Sequence, residues 1–175
     1  MRSWLVGAAT LSHLPAAQTI DHEAFAVAAI LHDLGWSHNA SLVSPDKRFE
    51  VDGANAARKF LLQQNATGEW NEERIQLVWD AIALHTTPDI ALHSRPLVGF
   101  LSAGVMTELF SPNVTLKTLR PKHVAATIEE WDAISSAFPR KELKVHLRET
   151  MVRLCRTKPE VSGIMCKVHI KHTLI

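Results

Sequence analysis

The chain has 175 residues, 46% of them apolar and 21% charged, and a formal net charge of +1. That length suits one domain able to bury its own core. The near-neutral balance leaves no electrostatic footprint for nucleic acid or an anionic membrane. The longest apolar run, Phe25 to Leu31, is far too short to cross a bilayer. Residues after Arg2 lack the h-region and cleavage site of a signal peptide. The expectation is therefore a cytoplasmic protein with a small-molecule substrate and no nucleic-acid or membrane partner, with homo-oligomer formation left open. Cys155 and Cys166 make neither a disulfide framework nor a zinc ribbon and read as reduced thiols. Histidine is the unusual count, at ten, and imidazole is the commonest metal ligand among side chains.

The periodicity is helical nearly throughout and predicts an all-α single-domain bundle of about six to seven helices. Residues 3–12 form a first helix that ends before Pro15. Asp21 caps a second, which runs to Gly35 as a C-terminal stop, with Phe25, Ala28, Ala29 and His32 on one stripe. A polar loop over 37–48 follows. Asp52 caps a third helix through Gln64, with Ala54, Ala57, Phe60 and Leu61 inward. Asn71 caps a fourth, with Glu72 and Glu73 favourable in its first turn. Its inward stripe is Ile75, Val78, Trp79, Ile82 and His85. A loop with Pro88 and Pro96 leads to an apolar fifth helix over 97–110. Pro121 opens a sixth helix to about Ala137, Pro139 breaks it, and a seventh runs from about Arg140 to Arg156. Residues 1–159 thus make the helical domain. Residues 160–175 carry no helical stripe and read as a poorly integrated tail, a short strand or disordered.

Chemistry concentrates at Leu31-His32-Asp33-Leu34-Gly35-Trp36, the end of a buried helix. An imidazole and a short carboxylate at a helix end can reach one ion, and that donor pair suits zinc, iron, manganese or nickel. The plainer alternative is a satisfied core histidine beside a helix-end aspartate. Two features favour the metal. A carboxylate at a helix C-terminus opposes the helix dipole and so wants a cation. His85 ends a second apolar stripe, where an unpaired ring would be costly. His38 and His93 read as solvated loop residues, and His123, His146, His169 and His172 as surface residues. Trp36 and Trp79 are placed to wall a pocket.

An apolar helix ending in His-Asp-hydrophobe-Gly resembles the HD superfamily of metal-dependent phosphohydrolases. Three further stretches, Asp46 to Arg58 (DKRFEVDGANAAR), Val78 to Thr87 (VWDAIALHTT) and Leu154 to Glu160 (LCRTKPE), resemble the fungal cyanamide hydratase-like branch of that superfamily. The resemblance spans about residues 2 to 160. It implies an HD-like fold with a divalent metal ion, zinc first, iron or manganese otherwise. His32 and Asp33 match the metal ligands, and His85 matches a histidine facing the site. Glu108 stands where a late carboxylate ligand is expected. Glu50 and Asp52 match acidic residues that orient ligands or substrate. The family's first metal histidine falls about three residues before its Arg-Ser-aromatic phrase. That phrase is Arg2-Ser3-Trp4 here, so the histidine would precede Met1, and weak metal binding and slow turnover are expected of the chain as written.

The implied reaction is addition of a metal-activated water to an electrophile. For a cyanamide hydratase the electrophile is the nitrile carbon of cyanamide and the product is urea, with Glu50, Asp52 or His85 as the proton donor. A second reading is a phosphohydrolase on a nucleotide or phosphate monoester, with Lys47, Arg48 or Arg58 on the phosphate. A third is a helical binding domain without catalysis.

Overall fold

The computed structural model describes residues 1–65, 68–119 and 123–161, and all the regular structure among them is helical. In chain order the helices are α1 (Arg2–Ser12), α2 (His22–Leu31), α3 (Phe49–Gln64), α4 (Glu72–Leu84), α5 (Pro88–Ala91), α6 (Pro96–Phe110), α7 (Pro112–Thr118), α8 (Ile128–Ala137) and α9 (Leu143–Thr157). Two 3-10 turns, Pro15–Thr19 and Leu34–Trp36, flank α2. The all-α expectation holds, and the tail from 162 onward lies outside the described residues, as do Pro121, His169 and His172.

Helix starts follow local chemistry. Asp21 caps α2 by accepting from the Ala24 N–H at 2.9 Å, and Asn71 caps α4 through Arg74 N–H at 2.9 Å. Thr127 and Glu130 form a reciprocal capping box at α8. Pro88, Pro96 and Pro112 each open a helix, where a missing N–H costs nothing. Pro112 was the available signal for α7, which the periodicity did not separate from its surroundings. The eighth helix starts at Ile128 rather than near Pro121, and α9 starts at Leu143 rather than Arg140.

The core centres on α6. Leu97, Val98, Phe100, Leu101, Ala103 and Val105 are all buried, as expected for a helix apolar around its whole circumference. It packs against α1, α2, α4, α5 and α7. Small residues let α1 come close. A Cβ on Gly104 would sit 3.4 Å from Gly7 Cα, and one on Gly7 would stand 2.4 Å from the Phe25 ring. Gly53, Ala54, Ala57 and Leu61 form the buried row of α3. Phe60, expected inward, is instead half exposed, at the flank of that row.

Two boundaries differ from expectation in a way that matters for function. The second helix stops at Leu31, with His32 as its C-cap, and Gly35 lies in the following 3-10 turn. Gly35 is required by close approach and not as a helix stop. A Cβ there would fall 1.8 Å from the Phe49 carbonyl oxygen, and the facing Gly53 would place one 3.2 Å from Gly35 N. The third helix begins at Phe49, with Arg48 as N-cap, so Asp52 is inside it and not its cap.

Asp21 also binds Arg74 (Oδ2 to Nε, 2.6 Å; Oδ1 to Nη2, 3.1 Å), which ties α2 to α4. The Arg74 guanidinium, with the Ala24 N–H, holds the Asp21 carboxyl below its ordinary value. Its stabilisation is therefore complete above the unfolded carboxylate range, about 4, and is lost as pH falls through the lower folded value. Asp21→Asn should lower unfolding free energy in urea by about 1–2 kcal/mol at pH 7, with the gap to wild type narrowing below pH 4. A gap constant with pH would contradict this role.

Candidate metal centre

The second and fourth helices end at the same place. Each C-terminus is capped by a histidine, His32 or His85. Each ring is fixed by the same local device: Nδ1–H donates to the carbonyl three residues back, to Ala29 at 2.9 Å and to Ile82 at 2.7 Å. A carbonyl can only accept, so Nδ1 carries the proton and Nε2 is the nitrogen turned outward. The two rings meet edge to face, with centroids 5.0 Å apart. Asp33 completes the group, with Oδ2 3.1 Å from His32 Nε2 and Oδ1 3.7 Å from His85 Nε2.

One ligand atom from each of the three residues lies within 4.8 Å of the other two. Ligand atoms around a tetrahedral zinc stand roughly 3.3–3.6 Å apart, given bonds of about 2.0–2.2 Å. The 4.8 Å limit of the group exceeds that spacing by about 1 Å. Anchoring each imidazole by its second nitrogen is what metal-ligating histidines require.

Electrostatics point the same way. Two helix C-termini bring partial negative charge to a site that already holds a carboxylate. Burial pushes the Asp33 carboxyl up, but hydrogen bonds and charge from His32 and His85 outweigh it, leaving the group well below the usual carboxylate range. Burial also opposes the charge on His32, yet Asp33 holds its protonation above the ordinary histidine value. The proton between these two groups stands where a cation would be favoured.

The three residues open on a cavity of about 450 Å³. Its floor also carries Trp36, Phe49 and Thr86. Val105, Glu108 and Leu109 of α6 form one wall, and Met1, Arg2 and Ser3 another. Arg140, Leu143, Leu147 and Met151 cover it from α9 and the segment before it.

The remaining expected site residues fall into different places. Trp36 lines the cavity. Glu108 does too, but its carboxylate binds Arg2 Nε at 2.6 Å and Arg140 Nε at 3.1 Å and is not part of the three-residue group. It is a counter-ion to two arginines, which corrects its assignment as a metal ligand. Glu50 is almost fully buried and is engaged by Arg48 and by the Thr86 hydroxyl. Burial raises its carboxyl, but Arg48 and Thr86 hold it below the usual range. Arg48 is committed to Glu50, and Lys47 pairs with Asp46 on the surface. Trp79 donates to Asn55 at 2.9 Å and sits under Arg58. Six residues before His85, it lies about 120° around α4 from it, which is why it does not wall the cavity.

Asp52 is also removed from the site. It accepts from Ser44 N–H at 3.0 Å and pairs with Lys158, both side chains buried, beside a separate cavity behind α3. His123, expected on the surface, is buried against Phe100 and Gly99. Cys155 is disulfide-bonded and not a reduced thiol, and Cys166 lies outside the described residues. Sequence reasoning missed Thr86, Arg140 and the role of Arg2. Thr86 directly follows His85, and that adjacency was the available signal; the two arginines come from segments whose meeting only the fold reveals.

The buried Asp52–Lys158 pair fastens the end of α9 to α3. Asp52→Ala should destabilise the protein by about 3 kcal/mol, because it strands a buried ammonium. Lys158→Met in the same background should recover part of that loss, measured as a double-mutant cycle in denaturant. A stable Asp52→Ala protein that has lost only activity would restore Asp52 to the chemistry.

Comparison with known proteins returned no match among family models, curated proteins or solved structures.

Proposed function

We propose that His32, Asp33 and His85 hold a divalent metal ion, zinc first and iron or manganese otherwise, and that the chain is a hydratase of the cyanamide hydratase-like, HD-superfamily type. The observation that carries this reading is the convergence of two backbone-anchored imidazoles on one carboxylate at two helix C-termini. The sequence phrases around His32, Glu50 and His85 support it by resemblance.

A divalent ion at this place supplies Lewis acidity and brings the pKa of a water toward neutrality. The chain supplies the rest. The Nδ1 bonds to backbone carbonyls keep His32 and His85 oriented with Nε2 toward the ion, which would take the place of a proton there. Asp33 is the one partly exposed member of the three, with 43% of its side chain accessible. Its carboxylate stands between the two rings and would complete the ligand set for the ion. Glu50 acts at one remove, by fixing the Thr86 hydroxyl at the cavity floor. Trp36, Phe49, Val105 and Leu109 keep the surroundings apolar, which strengthens charge interactions inside.

A phosphohydrolase reading has one observation in its favour, the two arginines at the cavity. Both bind Glu108, and Lys47, Arg48 and Arg58 are engaged elsewhere. A neutral electrophile suits that wall better than a phosphate.

Zinc-loaded protein should form urea from cyanamide and release little phosphate from phosphate monoesters. Asp33→Ala and His85→Ala should each reduce urea formation by at least about 100-fold. Phosphate release without urea would exchange the two readings, and neither product from a metal-loaded chain would favour a binding domain.

A further inference from the structure

The cavity is far larger than cyanamide needs. Three heavy atoms occupy about twice the share of one water, or roughly 60 Å³. The space beside Asp33 is about 450 Å³, within the roughly 300–1,000 Å³ of pockets that enclose drug-sized ligands. The excess is not polar in character. From the metal-binding group toward α9 it is walled by Val105, Leu109, Leu143, Leu147 and Met151. The three α9 residues recur every four positions and so form one stripe facing the cavity. Its two arginines both bind Glu108 at the opposite wall.

Resting on the proposed hydratase reading, we infer that the substrate is a nitrile or cyanamide bearing an apolar substituent of about the size of a phenyl ring. The nitrile lies at Asp33 and the substituent against α9. Water adds across the C≡N bond: its oxygen bonds to carbon, one C–N π bond breaks, and the proton passes to nitrogen. Tautomerisation then gives the amide or substituted urea, with no other reactant needed.

The test uses the full chain and two readouts. Zinc-loaded protein is assayed with cyanamide and with N-phenylcyanamide, and metal-free protein is titrated calorimetrically with urea and with phenylurea. Burying a ring should lower KM for N-phenylcyanamide at least tenfold relative to cyanamide, with a smaller change in kcat, as for uniform binding. Phenylurea should bind the metal-free chain at least tenfold more tightly than urea. Leu147→Trp, which fills the space, should reduce both ratios toward one, and Leu147→Ala, which enlarges it, should not abolish them. Equal binding of the two ureas, or a preference for cyanamide, overturns the inference. Preference for cyanamide with active zinc protein leaves the hydratase reading standing. Tight phenylurea binding with no nitrile hydration removes that reading and keeps the apolar specificity of the cavity.

Discussion

The hydrogen bond from each histidine Nδ1 to the carbonyl three residues back is the interaction on which the site depends. It fixes the tautomer, turns Nε2 outward and does so at a helix end, where the local dipole favours positive charge. Because both rings use the same device, the meeting of α2 and α4 brings two equivalent donors together. Asp33, two residues beyond the end of α2, bridges them. Without these bonds either ring could rotate, and the group would lose the preorganisation that a ligand set requires.

The approach of backbone to backbone holds that arrangement in place. Gly35 sits so close to the Phe49 carbonyl that no side chain fits, and Gly53 meets it from α3. This contact presses the turn after Asp33 onto α3 and carries Phe49 and Trp36 into the cavity floor. The two rings pack edge to face there, with centroids 5.5 Å apart. At the far side, Glu108 gathers Arg2 and Arg140, while Lys158 and Arg153 secure α9 through Asp52 and the Trp36 carbonyl. The charged residues away from the three-residue group thus build the chamber and hold α9 over it.

Much of this was legible in the sequence, and the failures have identifiable causes. Apolar periodicity located most of the helices, and Asp21 and Asn71 marked two starts because capping is a local interaction. His32 and His85 could be paired because each ends an apolar stripe, where a polar ring needs a partner. Glu108 was misplaced because sequence shows a carboxylate on the inner face but not the arginines that reach it from opposite ends of the chain. Asp52 misled for a related reason: it is buried and acidic, yet its partner, Lys158, lies 106 residues away. Gly35 looked like a helix stop because helix ends and close backbone contacts both select glycine.

Metal affinity is the property that the proposed ligand set of His32, Asp33 and His85 puts to the test. Calorimetric titration of the purified chain with zinc at neutral pH should show one equivalent bound, with affinity reduced at least about 100-fold by Asp33→Ala and by His85→Ala, while both variants keep the helical circular dichroism of the parent. No binding by the parent, or binding that both substitutions leave intact, would mean that the three residues form a hydrogen-bonded core contact and not a metal centre.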